Sequence, residues 1–319
     1  MFKFLESIFG DGAQAGAFPE SLVKAAIERA IDGTDPWIRA VSGYQGKMRP
    51  AVVKTIEYVV ALIDGMASPI NLSIENFDDN PQLRTLFISR TDFVNFLESD
   101  KNLVKFNKQN EMPPLAFALL LIEKQEKIIS GTDISGDIIL RDVPMTAVSF
   151  DVPRLIELSF PEVETRRQLK RRSYDHLLSL ALRRITIVKT ERGKLERYRS
   201  LLQSKLSLLQ RGEWGFQAFD KEESIDAAGM EESLAKIEAD LQELGGDDDM
   251  LTTYLDVLTN VLSRPEEHLW LRKETLTLDR MGIKRNEVDD SAKKVSLEVI
   301  CNDEGRSFVV TLVSLKAGT

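Results

Sequence analysis

Residues 159–211 set the condition that any fold of this chain has to meet. Tyr174, Leu178, Ala181, Ile185, Val188, Leu195, Leu202, Leu206 and Leu209 recur at intervals that mostly alternate between four and three. That is the a/d spacing of a helix whose apolar seam must be covered by another helix. Such a helix has about fifty residues and runs roughly 75 Å at 1.5 Å per residue. Ser159 three residues before Glu162 reads as a capping box, and Pro161 suits a first turn, where its missing N–H costs nothing. Only Arg192 and Arg199 interrupt the seam.

Charge gives this segment a partner within the chain. From Arg166 to Arg211 there are 14 Lys and Arg against three acids, whereas Asp220–Asp249 holds 12 acids against Lys221 and Lys236. Met230, Leu234, Ile237, Leu241 and Leu244 resume the 4,3 seam in the acidic stretch. Gly245, Gly246 and Asp247–Asp249 interrupt it, and Leu251, Leu255, Leu258 and Leu262 continue it in a new phase until Pro265. If the chain reverses through Gly212–Asp220, Met230 comes level with Leu209, Leu244 with Leu195 and Leu262 with Leu177. An antiparallel helical hairpin is therefore predicted, its opposite charges answering each other. Arg192 faces the break, where Asp247, Asp248 and Asp249 can replace leucines as its neighbours.

Before the long segment, residues 1–132 read as a helical domain. Leu22–Ile31 is a helix stopped by Gly33; a second begins at Pro50 and ends at Gly65; Ile70–Ile74 alternates as a strand; short helices follow from Asn80-Pro81 to Phe106. Leu115–Ile129, continuously apolar at its start and followed by Gly131, is predicted to be the central helix of this domain. Residues 133–158 change period, with two short strands around the Asp142-Val143-Pro144 break. Residues 159–264 form the hairpin. In residues 265–319, Leu269–Leu278, Val295–Cys301 and Phe308–Leu315 alternate with a period of two, a meander turning at Asn302–Gly305 and leaning on the helical body. The expected class is α+β, mainly α.

Several function classes find no support in the residues. His176 and His268 are the only histidines and Cys301 the only cysteine, so neither a zinc site nor a disulfide framework is expected. No Walker loop, dinucleotide fingerprint or nucleophile elbow occurs, and Cys301 shares a strand face with Val295, Leu297 and Val299, as a buried thiol does. No enzyme activity, cofactor or metal is predicted. No run approaches the roughly twenty apolar residues of a membrane span. Residues 1–9 are amphipathic, but Lys3 offset by Glu6 favours docking on the protein over a lipid surface. The expected location is cytoplasmic.

Two stretches invite partners. Trp214, Phe216 and Phe219 cluster where the hairpin turns and suit anchoring to a protein partner or a second copy. Arg166, Arg167, Lys170, Arg171 and Arg172 lie beyond the reach of the acidic arm; they either meet acids such as Asp78, Asp79 or Glu98 or bind nucleic-acid phosphates. The function expected is that of a non-enzymatic interaction or scaffold protein, with nucleic-acid association as the alternative.

Overall fold

The computed structural model describes residues 18–109, 115–135, 138–210, 227–244, 249–279, 281–285 and 292–316. In chain order the elements are α1 (Glu20–Asp32), a 3-10 turn (Pro36–Ala40), α2 (Tyr44–Asp64), β1 (Ile70–Asn71), α3 (Pro81–Leu86), α4 (Arg90–Ser99), α5 (Lys101–Gln109), β2 (Leu115–Ser135), β3 (Ile138–Ser159), α6 (Glu162–Gln210), α7 (Ala227–Glu243), α8 (Met250–Ser263), α9 (Pro265–His268), β4 (Leu269–Asp279), β5 (Ala292–Asn302) and β6 (Ser307–Lys316). The fold is mixed α+β, with one curled six-stranded sheet. None of the described helices is long and apolar enough to cross a membrane. Two compact units divide the described residues, 18–55 with 175–264 and 56–174 with 265–316.

In the first unit, α1 buries Leu22, Val23, Ala26, Ile27, Ala30 and Ile31, one face of a 3.6-residue period. The 3-10 turn is capped by Asp35, whose carboxylate accepts the Trp37 N–H at 2.9 Å. From Asp175 onward α6 buries Leu177, Leu178, Ala181 and Ile185, and α8 buries Tyr254, Leu255, Leu258, Val261 and Leu262. Thr55 ties α2 to the end of α8 by donating to the Leu262 carbonyl at 2.5 Å.

Farther along α6 the cover thins, and Leu202 packs with Ile237 and Leu241 of α7, beside Leu195, Met230 and Leu234. Moving back along α6 to Lys189, the neighbour is Tyr254 of α8. The neighbour of α6 thus changes from α7 at Leu202 to α8 at Lys189. The expected charge pairing is a different matter. Among the described residues no ion pair joins α6 to α7: Lys189 bonds Asp35, Lys194 bonds Glu191 and Arg192 bonds Glu196. Charges that cancel in count are therefore not joined across these two helices by an ion pair among the described residues.

In the second unit the strand order is β3-β2-β6-β5-β4, antiparallel throughout, and β1 joins β6 in parallel with Ile70 opposite Val313. β5 pairs with β6 only over Glu298–Cys301, and β1 takes the next stretch of that edge. After β4 the chain turns at Gly282, which sits at φ +77. Ile283 bridges Ala147 of β3, Lys284 bridges Leu278 of β4, and the Gly282 carbonyl accepts the Val148 N–H at 2.8 Å. Since β3 and β4 are the outermost strands, this short segment ties one edge of the sheet to the other. The sheet is buried on both faces. Leu120, Ile122, Leu155, Leu276, Leu297 and Val299 face a core that includes Phe77, Phe87, Phe93 and Phe96. Leu119, Ile156, Val310 and Leu312 face Ile63, Met66 and Leu169.

Three expectations are corrected here. Leu115–Ile129 is strand, not helix: a central strand covered on both faces reads as a continuous apolar run, which periodicity cannot tell from a buried helix. The two short strands of 133–158 are parts of one strand, β3, in which Asp142 and Val152 take positive φ as local irregularities. Pro144 and Pro153 are tolerated because β3 is an edge strand. The meander of residues 265–319 is accordingly three strands of this larger sheet. Two helix starts also differ. α2 begins at Tyr44, so Pro50 lies inside it, and the Ser159 hydroxyl meets Thr165 Oγ1 at 2.7 Å instead of capping α6.

Candidate functional site

A cavity of about 510 Å³ in the first unit is lined by Asp35, Trp37, Lys189, Arg192, Gly193, Glu196, Met250, Leu251 and Tyr254. The 3-10 turn supplies Trp37, which is 75% exposed. The turn is held by Asp35, a buried carboxylate that accepts from the Trp37 N–H and from Lys189 Nζ at 2.6 Å. Lys189 in turn stands 4.9 Å from the centre of the Tyr254 ring, a cation–π contact. Burial is the main cause that pushes the Tyr254 hydroxyl above its ordinary pKa, so the ring enters this site as a neutral phenol. Arg192 is buried, and its Nε donates to Glu196 Oε1 at 2.8 Å, one turn along the same helix. A Cβ added at Gly193 would meet nothing within 4 Å, so open space lies over that position of α6.

The cavity's charges thus form ion pairs, Lys189 with Asp35 and Arg192 with Glu196, around a wall of Trp37, Met250, Leu251 and Tyr254. Such a site offers apolar area and an exposed aromatic rim, the features of a pocket that receives a side chain. Among the described residues no group of three or more His, Cys, Asp or Glu is placed to hold a metal ion.

Of the residues singled out in the sequence, Arg192 belongs to this cavity, at the level where α7 gives way to α8. Asp249 is exposed immediately before α8. Asp247, Asp248, Trp214, Phe216, Phe219 and residues 1–9 lie outside the described residues. The basic cluster is placed in the second unit. There Arg166 bonds Glu162 at 2.8 Å and the Ile63 carbonyl at 2.7 Å. Arg167 bonds Glu164, Lys170 bonds Asp64, and Arg172 bonds Glu157. The acids that meet the cluster are therefore those of its own first turn and of neighbouring α2 and β3, not Asp78, Asp79 or Glu98.

Cys301 is buried in the sheet core, its sulfur 3.5 Å from Ser307 Oγ. His268 Nδ1 lies 3.0 Å from Asp303. An Asp before Pro signals a capped turn, but the contact of Asp35 with Lys189 spans 154 positions and leaves no local trace.

A second polar group lies inside the curled sheet. Lys124 of β2, its side chain 4% exposed, bonds Glu274 of β4 at 2.7 Å and Glu126 at 2.8 Å. Burial opposes its charge most, and the bonds from both carboxylates outweigh that, so the ammonium titrates above its ordinary 10.5. The bond from Lys124 holds Glu126 below its ordinary 4.5. This is a closed charge cluster that bridges strands of the curled sheet. No family model matches the chain, and no curated protein or solved structure is similar to it.

Proposed function

We propose that this chain is a non-enzymatic interaction protein that binds a protein partner, or a second copy of itself, through the antiparallel helices α6 and α7. One observation carries this reading: beyond Ile185, α6 is covered along a single narrow seam, and Ile187, Tyr198 and Leu201 stay 55%, 53% and 49% exposed. Large apolar residues gathered on one open side of a helix, rather than scattered singly, are the kind of patch that marks an interaction surface. The cavity beneath Trp37 gives the same unit a pocket for a partner's anchoring side chain. Trp214, Phe216 and Phe219, which lie outside the described residues, are proposed from the sequence alone as further anchors for the same partner.

Phosphate binding through Arg166, Arg167, Lys170, Arg171 and Arg172 has less behind it, because four of the five cations already bond a carboxylate of this chain. A photo-crosslinking residue placed at Tyr198 or Leu201 tests the proposal. In cells it is expected to trap a discrete protein adduct, whereas the same residue at Ile88 in the second unit does not. Absence of any adduct from the α6 positions overturns the reading.

A further inference from the structure

The open side of α6 has a pattern of its own. Ile187, Lys194 and Leu201 are each seven residues apart, and Tyr198 and Lys205 are likewise seven apart. At 3.6 residues per turn these five fall in one stripe alongside the seam residues Leu195 and Leu202. The helix thus carries a second heptad stripe next to the one that α7 covers, and a second stripe calls for a second helix. Among the described residues, Arg197, Arg199 and Lys205 of α6 pair with no carboxylate, and Glu231, Glu232, Glu238, Asp240 and Glu243 of α7 pair with no cation. Each arm therefore keeps an excess of one sign, α7 carrying Lys236 against those five acids: a cationic helix with an apolar stripe lies beside a mainly anionic helix.

Resting on the interaction reading above, we infer that the partner is a second copy of this chain, its α7 laid against the open side of α6 and its α6 against α7 in return. The charges decide this arrangement. A symmetric pair that set α6 on α6 would bring cations together, and one that set α7 on α7 would bring carboxylates together. The crossed arrangement matches opposite signs twice by one two-fold operation. It covers Ile187, Tyr198 and Leu201, and it gives Arg197 and Lys205 carboxylates, which no described residue of the single chain gives them. Any other acidic helix would satisfy half of this surface; a second copy satisfies both halves.

Sedimentation of the full chain at micromolar concentration tests the inference. A dimer is expected at low salt, weakening as salt rises because the matched charges lie at an exposed rim. Two variants separate the arms: Arg197→Glu with Lys205→Glu, and Asp240→Lys with Glu243→Lys. Each alone is expected to weaken self-association by about tenfold or more, since every charge match becomes a clash. Mixed in equal amounts, the two variants are expected to recover a heterodimer, which misfolded chains would not do. A chain that stays monomeric at low salt, or variants that dimerise as well as the parent, overturns the inference. A monomeric chain that still gives a discrete adduct with a different protein from Leu201 leaves the interaction reading standing and removes only the second copy.

Discussion

The curled sheet and the α6–α7 pair use opposite means to hold a chain together. In the sheet, apolar residues are buried on both faces, the edges are tied through Gly282–Lys284, and the Lys124 ammonium has two carboxylates within bonding distance. In the helix pair, one cluster centred on Leu202, Ile237 and Leu241 stands for the core, and among the described residues no ion pair joins α6 to α7. Apolar burial stabilises by roughly 25 cal/mol per Å², so the region with two covered faces carries far more of it than the region with one seam. The helix pair, with a single apolar cluster and exposed Ile187, Tyr198 and Leu201, is the region where the association proposed above would disturb folding least.

The largest effect that would test this contrast is a cavity in each region. Leu120→Ala, at a position 1% exposed in the sheet core, is expected to cost about 3–4 kcal/mol in chemical denaturation, in the range of large-to-small core substitutions. Leu202→Ala is expected to cost about half as much, because a seam open to solvent can collapse around the gap. Equal losses would erase the distinction drawn here.

Next in size is the buried charge. Lys124→Met leaves Glu274, 17% exposed at its side chain, without its main donor, and is expected to cost about 2 kcal/mol, the scale of a bond to a charged group. The pH dependence has a definite sign at each end. Lys124 titrates above its ordinary 10.5, so its contribution is complete below that value and is lost as pH rises through the higher folded value. Glu126 titrates below its ordinary 4.5, so its contribution is complete above that value and is lost as pH falls through the lower folded one. Denaturation of the parent and of Lys124→Met across pH should therefore differ most in the neutral range and converge toward both extremes. A constant gap across pH would mean that packing, not charge, is what Lys124 contributes.

How much of this contrast could be read from residues alone depended on how local its causes are. α1, the short helices after Asn80 and the strands β4 to β6 announce themselves by period and by turn residues such as Gly305, at φ +76. The apolar seam residues Leu202, Ile237 and Leu241, which pack together, were legible from their spacing. β2 was not, since Leu115–Ile122 is apolar on both sides of the strand and so shows no period. Nor was β3, whose prolines look like breaks until the strand is known to lie at an edge. Of the candidate site, Arg192 is visible in the sequence as a polar interruption of the seam, whereas its bond to Glu196 one turn along α6 is one of several i,i+3 and i,i+4 pairings that the spacing allows equally. The absence of an α6–α7 ion pair among the described residues is not legible for a general reason: net charges of +11 and -10 over Arg166–Arg211 and Asp220–Asp249 say how many charges could pair, not which ones meet.

The joint between the sheet's edges gives a smaller and more local effect. At Gly282 a Cβ would lie 2.7 Å from the Val148 carbonyl oxygen, and the backbone is left-handed there. Gly282→Ala is therefore expected to cost about 1–2 kcal/mol, the scale of holding a non-glycine residue in a strained backbone region. Hydrogen exchange should localise the loss to the Val148 and Lys284 amides, which bond across this joint. Loss spread evenly over β5 and β6 would show that the sheet does not depend on being tied at its edges.

The smallest effect runs in the opposite direction and belongs to the helical region. Gly193 lies inside α6 with open space over it, and glycine in a helix interior is less favourable than alanine by roughly 0.8–1.0 kcal/mol. Gly193→Ala is expected to raise stability by about that amount, because no contact has to be displaced. Gly193→Leu, by contrast, occupies part of the cavity beneath Trp37. If the cavity receives a partner's side chain, the alanine variant should keep the crosslink from Leu201 and the leucine variant should diminish it. If both keep it, the partner engages α6 without using the cavity, and the binding surface is confined to the stripe through Ile187, Tyr198 and Leu201.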